Sequence, residues 1–177
     1  MPAPAGRTSA APPGSRLRRL PLRRARWPAW VAAGLAFASA GVSLYWTVGG
    51  VWLLDTVGGT IEDLARDRSF GAVALGAAAV LLKVVAGVLA LALRRLPPAG
   101  FRRRALLLAN GGASAILSIW GGANVVVGAL VLSGAIGSAA DVDRQALRWH
   151  VFVWDMWFLI WGLTLASAVL AARGAPR

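Results

Sequence analysis

Four polar side chains that could carry chemistry lie inside otherwise apolar stretches of this chain: Lys83, Asp155, Asn124 and Asn110. A lysine near the centre of a membrane-spanning helix costs about 2.5–3.5 kcal/mol on insertion scales and therefore usually faces the interior of a helix bundle. Buried amides and carboxylates also need hydrogen-bond partners. The sequence therefore predicts an intramembrane polar cluster formed by these four residues.

The helix that carries Lys83 has a face of small residues. At helical spacing around Lys83 lie Gly76, Ala79, Ala86, Gly87 and Ala90. Small residues let helices approach closely within a membrane. Lys83 is therefore predicted to project from a packing face.

Asp155 is predicted to face other helices. At ~100° per residue its face holds Leu159 and Gly162. Asn124 belongs to a polar line on the preceding stretch and lies at a similar predicted depth, which makes it the natural hydrogen-bond partner of Asp155. A separate stripe, well over 90° away, is predicted to face lipid and consists of His150, Trp154, Trp157 and Trp161.

A direct pair between Lys83 and Asp155 is not fixed by the sequence. The rise of 1.5 Å per residue separates the two positions by roughly 10 Å in depth. Three alternatives stay open: a structural cluster that sets helix register, a pathway for protons or a solute, and no contact at all.

The elements that position these residues are four membrane spans. The chain has 177 residues, of which 58% are hydrophobic. Each apolar stretch is near the ~20 residues that cross a bilayer. The prediction is an all-α integral membrane four-helix bundle over 27–172, with spans at about 30–53, 71–93, 105–132 and 151–172.

Charge outside the spans predicts their orientation. The net charge is +12, and most arginines lie in the N-terminal tail, the second loop and the C-terminus. Because positive charge accumulates on the cytoplasmic side, both termini are predicted to be inside, at the bacterial plasma membrane. The tail, 1–26, is predicted to be disordered. Two roles stay open for it: attraction to anionic lipid headgroups, or setting the orientation of the spans alone. Residues 173–177 are predicted to form a cytoplasmic C-terminal tail.

A cleaved signal peptide is the alternative for the first stretch, because Ala38, Ser39 and Ala40 have the small side chains of a cleavage site. Apolar residues continue beyond Ala40, which favours a span.

The loops on the predicted outer side suggest local helices. Thr60 and Asp63 have the spacing of a capping box and predict a short interfacial helix with Ile61 and Leu64 on one side. Asp141 is predicted to cap a helix that continues into the fourth span.

Composition argues against several classes of function. The chain has no cysteine and one histidine, so thiolate and multi-histidine metal sites are excluded. No catalytic motif or phosphate-binding loop is present. The sequence therefore predicts a non-enzymatic protein without metal, cofactor or nucleic-acid partner.

Several segments carry a resemblance to a known family: Tyr45–Gly50, Leu82–Val85, Trp120–Gly122 and, most specifically, Arg148–Gly162. The sequence resembles, roughly from Trp27 to Ala172, an uncharacterised group of small actinobacterial four-span membrane proteins catalogued as a domain of unknown function. The resemblance implies location and fold, and no activity.

The sequence favours an accessory or scaffolding protein that associates with a second copy or another membrane protein through its small-residue faces. The alternative is a small oligomeric transporter or proton-coupled channel using Lys83, Asp155 and Asn124. An intramembrane enzyme using His150 and Asp155 is a third hypothesis.

Overall fold

The structure is a computed structural model that describes residues 20–137 and 143–174. Four long and two short helices follow one another along the chain: α1 Leu20–Thr47, α2 Gly59–Asp67, α3 Phe70–Ala92, α4 Phe101–Leu132, α5 Arg144–Trp149 and α6 Asp155–Arg173. A π-helical turn, His150–Trp154, joins α5 to α6.

Four helical segments are long and apolar enough to cross a membrane: Trp27–Thr47, Phe70–Arg95, Phe101–Leu132 and Arg144–Arg173. Large apolar side chains such as Leu82, Ile119 and Leu163 are exposed on their outer surfaces, as a helix in lipid requires. The predicted all-α, four-helix membrane architecture is confirmed. At about 1.5 Å per residue, the 32 residues of α4 extend about 48 Å, so this helix is longer than a ~30 Å hydrocarbon core.

The long helices are antiparallel to their neighbours along the chain. α1 packs against both α3 and α6, and α6 packs against α4, whereas α3 and α4 have few contacts with each other. We call the end of the bundle at which α1 and α4 finish the loop end, and the end at which α3 and α6 finish the termini end.

Glycines set the closest helix approaches. A Cβ atom added to Gly121 of α4 would lie 2.6 Å from the Leu159 nitrogen, and one added to Gly162 of α6 would lie 2.6 Å from the Ser118 nitrogen. On α3, Gly76 lies against the Thr47 side chain and Gly87 lies against a phenylalanine ring of α1. The small-residue faces of the sequence are therefore helix contacts in the fold.

The termini-end half of the bundle is a packed apolar core. Its fully or almost fully buried side chains come from α1, α6 and the end of α3, and include Ala32, Ala36, Ala90, Trp161 and Leu165. Alanines on α1 allow the two larger side chains of α6 to fill the space between helices. The space between α1 and α6 in this half is therefore filled by side chains.

The described ends of the elements correct four local predictions. α1 begins at Leu20, so residues 20–26 are helical rather than part of a disordered tail. It ends at Thr47, earlier than the predicted boundary at Leu53, because Gly49 adopts a φ of 104°, a conformation that favours glycine. The prediction that Thr60 and Asp63 form a capping box was wrong, since Gly58 caps α2 without a side-chain hydrogen bond. α5 is capped by Asp143, whose carboxylate accepts from two backbone N–H groups.

Other parts of these predictions lie outside the described residues. They are residues 1–19 of the tail, Asp141 with the rest of 138–142, and 175–177 at the C-terminus.

Candidate functional site

A cavity of about 440 Å³ occupies the loop-end half of the bundle. Every long helix contributes to its wall, as do α2 and the π-turn. Its polar lining includes Ser43, Lys83, Asn124, His150 and Asp155. The volume lies within the roughly 300–1,000 Å³ that small-molecule pockets have.

Lys83 reaches this cavity from α3. Its ammonium group donates a hydrogen bond to Ser43 Oγ of α1 and lies 6.0 Å from the centroid of the Phe158 ring. Among the described residues, ion pairs within 4.0 Å join Arg66 to Glu62 and His150 to Asp155, and none involves Lys83. The Lys83 charge is therefore held by a hydroxyl and an aromatic ring rather than by a carboxylate.

His150 and Asp155 form the second polar element of the site. His150 Nδ1 lies 3.2 Å from Asp155 Oδ2, and His150 Nε2 lies 2.7 Å from the carbonyl oxygen of Val57. In a regular α-helix, residues five apart point to different faces at ~100° per residue. The π-turn closes an i to i+5 hydrogen bond from the Asp155 N–H to the His150 oxygen, and this wider turn brings the two side chains together.

The partners of His150 fix the number of protons in the pair. A neutral imidazole has one N–H donor and one acceptor nitrogen, whereas both nitrogens here face oxygen atoms. Two proton placements satisfy both contacts: a doubly protonated ring beside an ionised Asp155, or a neutral ring beside a protonated Asp155. In either placement the pair has a net charge of zero.

Tryptophans form the aromatic wall of the site. Trp46 and Trp154 meet edge to face with ring centroids 5.4 Å apart. Trp157 Nε1 donates to the Leu35 carbonyl oxygen at 3.2 Å, and Trp161 is only 3% exposed. The prediction that Trp154, Trp157 and Trp161 face lipid was wrong, because Trp154 in the π-turn and the other two rings on α6 contact neighbouring helices.

The two asparagines have different surroundings. Asn124 lines the cavity, but its amide donates to the Trp120 carbonyl oxygen at 2.9 Å rather than to Asp155. Asn110 is 2% exposed and lies nearer the termini end, where its amide donates to the Leu89 oxygen at 3.2 Å. The structure therefore brings Lys83, Asp155 and Asn124 to one cavity and gives Asn110 a separate place as a link between α3 and α4.

The cavity reaches the lipid-facing surface between α3 and α4. Leu75 of α3 and Trp120 of α4 both line it, yet they are 59% and 65% exposed. Because α3 and α4 have few contacts with each other, nothing in the described residues closes this side. The opening is lateral and lies among exposed apolar side chains of two helices that are able to span a membrane.

The short helix α2 covers the loop end of the cavity. Ile61, Leu64 and Ala65 line the cavity from α2, whereas Glu62 and Arg66 form an exposed ion pair along it. Arg68, which follows α2, donates to the Val48 carbonyl oxygen at 3.2 Å and also lines the cavity. α2 is therefore an amphipathic cover tied to the end of α1.

The sequence matches the family described as a protein of unknown function, DUF3995, over residues 35–165. The chain belongs to this family. The resemblance to an uncharacterised family is thus confirmed, while an actinobacterial source stays a prediction. No curated protein and no solved structure matches the chain.

The matched residues of this DUF3995 chain contain the whole polar lining of the cavity. Two partners in it were not found by sequence reasoning. Ser43 gave no signal, because a serine within a helix usually bonds to its own backbone. Val57 was missed because its role belongs to a backbone carbonyl.

The donor set of the site does not suit a metal ion. Within the described residues, no three His, Cys, Asp or Glu side chains lie close enough to share one. The cavity combines a cation, a neutral histidine–aspartate pair and aromatic walls, which together can bind a small molecule with a polar end.

Proposed function

We propose that this protein is a non-enzymatic, multi-pass membrane protein that binds a small molecule taken laterally from the bilayer. The observation that carries the proposal is the 440 Å³ cavity with an opening between α3 and α4. An accessory role fits this function, since a protein that holds a lipid-soluble ligand can present it to a second copy or to another membrane protein.

The position of the cavity supports binding rather than conduction. A conducting path must continue through the protein, but beyond the cavity the core around Trp161 and Leu165 fills the space between α1 and α6. The hydrogen bond from Asn110 to Leu89 links α3 to α4 on that side. The site therefore has an entrance from lipid and a closed floor.

The charge pattern supports an orientation with both termini in the cytoplasm of a bacterium. The loop end, with the cavity, would then lie in the outer half of the plasma membrane. The chain has no cysteine, so single cysteines at Ser69 and Ala99 can report sidedness. We expect an impermeant thiol reagent to label position 69 from outside and position 99 only after the membrane is opened; the reverse pattern would overturn the orientation.

The binding function is tested by filling the cavity. Ala79 lines the cavity, whereas its neighbour Ala78 is exposed on the same helix. We expect organic extracts of the purified wild-type protein and of Ala78→Phe to contain one co-purified small molecule in near-stoichiometric amount. Ala79→Phe should lose it, because the added ring occupies the space.

Mass spectrometry of the extracts measures the result, and thermal unfolding of each variant shows that the fold is retained. If wild type and Ala79→Phe, both folded, carry the same co-purified molecules in the same amounts, the cavity is not the binding site. If none of the proteins carries a molecule that depends on position 79, the proposed function fails.

A further inference from the structure

We infer that the ligand of this cavity is a single-chain amphipathic carboxylate whose negative group pairs with Lys83 and whose apolar chain lies along the aromatic wall towards the opening between α3 and α4. The inference rests on the proposed function and names the chemical class of its ligand.

The ionisable side chains that line the cavity determine its charge. Four ionisable side chains line the cavity: Lys83, Arg68, His150 and Asp155. Both ring nitrogens of His150 face oxygen atoms, which favours one shared extra proton on His150 and Asp155 and a pair without net charge. The remaining two groups are cations, which makes the cavity positive and favours an anion.

Lys83 places a cation deep in the cavity. Lys83 has no carboxylate partner among the described residues, and Phe158 covers one side of its ammonium group. An ammonium group has three N–H donors, and Ser43 accepts from one of them. The others are available to a ligand, and a charge-assisted hydrogen bond to an anion is roughly twice as strong as a neutral one.

The charge and the volume of the cavity limit the anionic group of the ligand and its apolar tail. Arg68 is exposed at the loop end and donates to the Val48 carbonyl oxygen, so Lys83 is the cation at the deep position. A phosphate monoester carries about −1.5 to −2 at neutral pH, which is more than this one cation neutralises, whereas a carboxylate carries a single charge. The cavity volume of about 440 Å³ lies towards the lower end of the roughly 300–1,000 Å³ of small-molecule pockets. That volume favours a ligand with one alkyl chain over one with two.

The opening of the cavity determines the route by which a ligand enters. Leu75 and Trp120 frame an opening to lipid rather than to water. A molecule that partitions into the bilayer and carries one charged end reaches the cavity by this route. The aromatic wall, with Trp157 and Phe158, then contacts its chain.

Palmitate and hexadecanol form a matched pair of probes, with the same chain length and only one charge. Binding of each radiolabelled probe to the purified full-length protein in nanodiscs of zwitterionic lipid gives the affinities. We expect palmitate to bind wild type about ten-fold more tightly than hexadecanol, which corresponds to ~1.4 kcal/mol. Lys83→Met should remove the preference, and Lys83→Arg should keep it.

The comparison of probes on wild type decides the inference even if Lys83→Met does not fold. Equal affinity for palmitate and hexadecanol would overturn the carboxylate and leave the cavity as a binding site for neutral amphiphiles. An unchanged preference in folded Lys83→Met would overturn the role of Lys83. If neither probe binds while a molecule that depends on position 79 still co-purifies, the ligand class is wrong and the proposed function stands.

Discussion

Replacing Gly121 by alanine is expected to destabilise the protein at the closest crossing of α4 and α6. The added methyl group would lie 2.6 Å from the Leu159 nitrogen and 2.7 Å from the Asp155 oxygen. Both neighbours are backbone atoms of α6 and cannot rotate away as a side chain can. The two helices must therefore separate, and the packing between them must loosen.

The size of the effect follows from overpacking. Extra methyl groups in a packed contact cost typically about 1–3 kcal/mol. Alanine in place of glycine recovers at most ~1 kcal/mol of helix propensity. For a chain of this length, 1 kcal/mol shifts Tm by about 2–4 °C, so we expect Gly121→Ala to unfold several degrees below wild type.

The adjacent glycine provides a matched control. A Cβ atom at Gly122 would lie 3.6 Å from the Leu159 side chain, which is ordinary van der Waals contact. Thermal unfolding of the purified protein in one detergent, followed by light scattering and tryptophan fluorescence, compares both variants with wild type. If Gly121→Ala and Gly122→Ala unfold at the same temperature as wild type, the close contact of α4 and α6 is refuted.

Three further predictions use the same unfolding measurement on ligand-free protein. Lys83→Met should be at least as stable as wild type, because it removes the insertion cost of a central charge of about 2.5–3.5 kcal/mol; a large loss of stability would show that Lys83 holds the fold. His150→Leu and Asp155→Leu should each lower the free energy of unfolding. The loss in the double variant should be smaller than the sum of the two single losses by ~1 kcal/mol or more. Additive losses would contradict the contact between the two side chains. Trp157→Phe should lower the free energy of unfolding by about 1 kcal/mol, because it removes the hydrogen bond to the Leu35 carbonyl oxygen. Trp161→Phe should lower it by less, because Trp161 Nε1 is buried with no partner among the described residues. Equal losses in the two variants would contradict these placements.

The membrane spans could be predicted because their length and apolar composition are properties of single segments. The small-residue faces around Gly76 and Gly87 were also readable, since close packing of helices selects for the smallest side chains. Both signals are local, and neither depends on knowing which helices are neighbours.

The details of the site could not be predicted because they depend on a change of helical period. Helical spacing placed His150 and Asp155 on separate faces, and the π-turn between them reverses that expectation. The same spacing assigned Trp161 to lipid, although it fills the core beside α1. A tryptophan in a membrane helix suits either an interface with lipid or a packed interior, and the choice is made by the helices around it.

The partner of Lys83 also depended on tertiary structure. Sequence reasoning looked for a carboxylate, because pairing is the common way to hold a charge within a membrane. The chain uses Ser43 and the Phe158 ring instead. A contact between residues forty positions apart along the chain leaves no spacing pattern that could reveal it.

The measurement that tests the cavity most directly compares single cysteines at positions 79 and 78 in the ligand-free protein. N-ethylmaleimide crosses membranes and reacts with the thiolate, which forms only where water reaches the sulfur. We predict rapid modification of Ala79→Cys, which faces the cavity, and little modification of Ala78→Cys, which faces lipid at nearly the same depth. Equal, slow modification of both positions would show a dry, packed interior and would contradict the binding site.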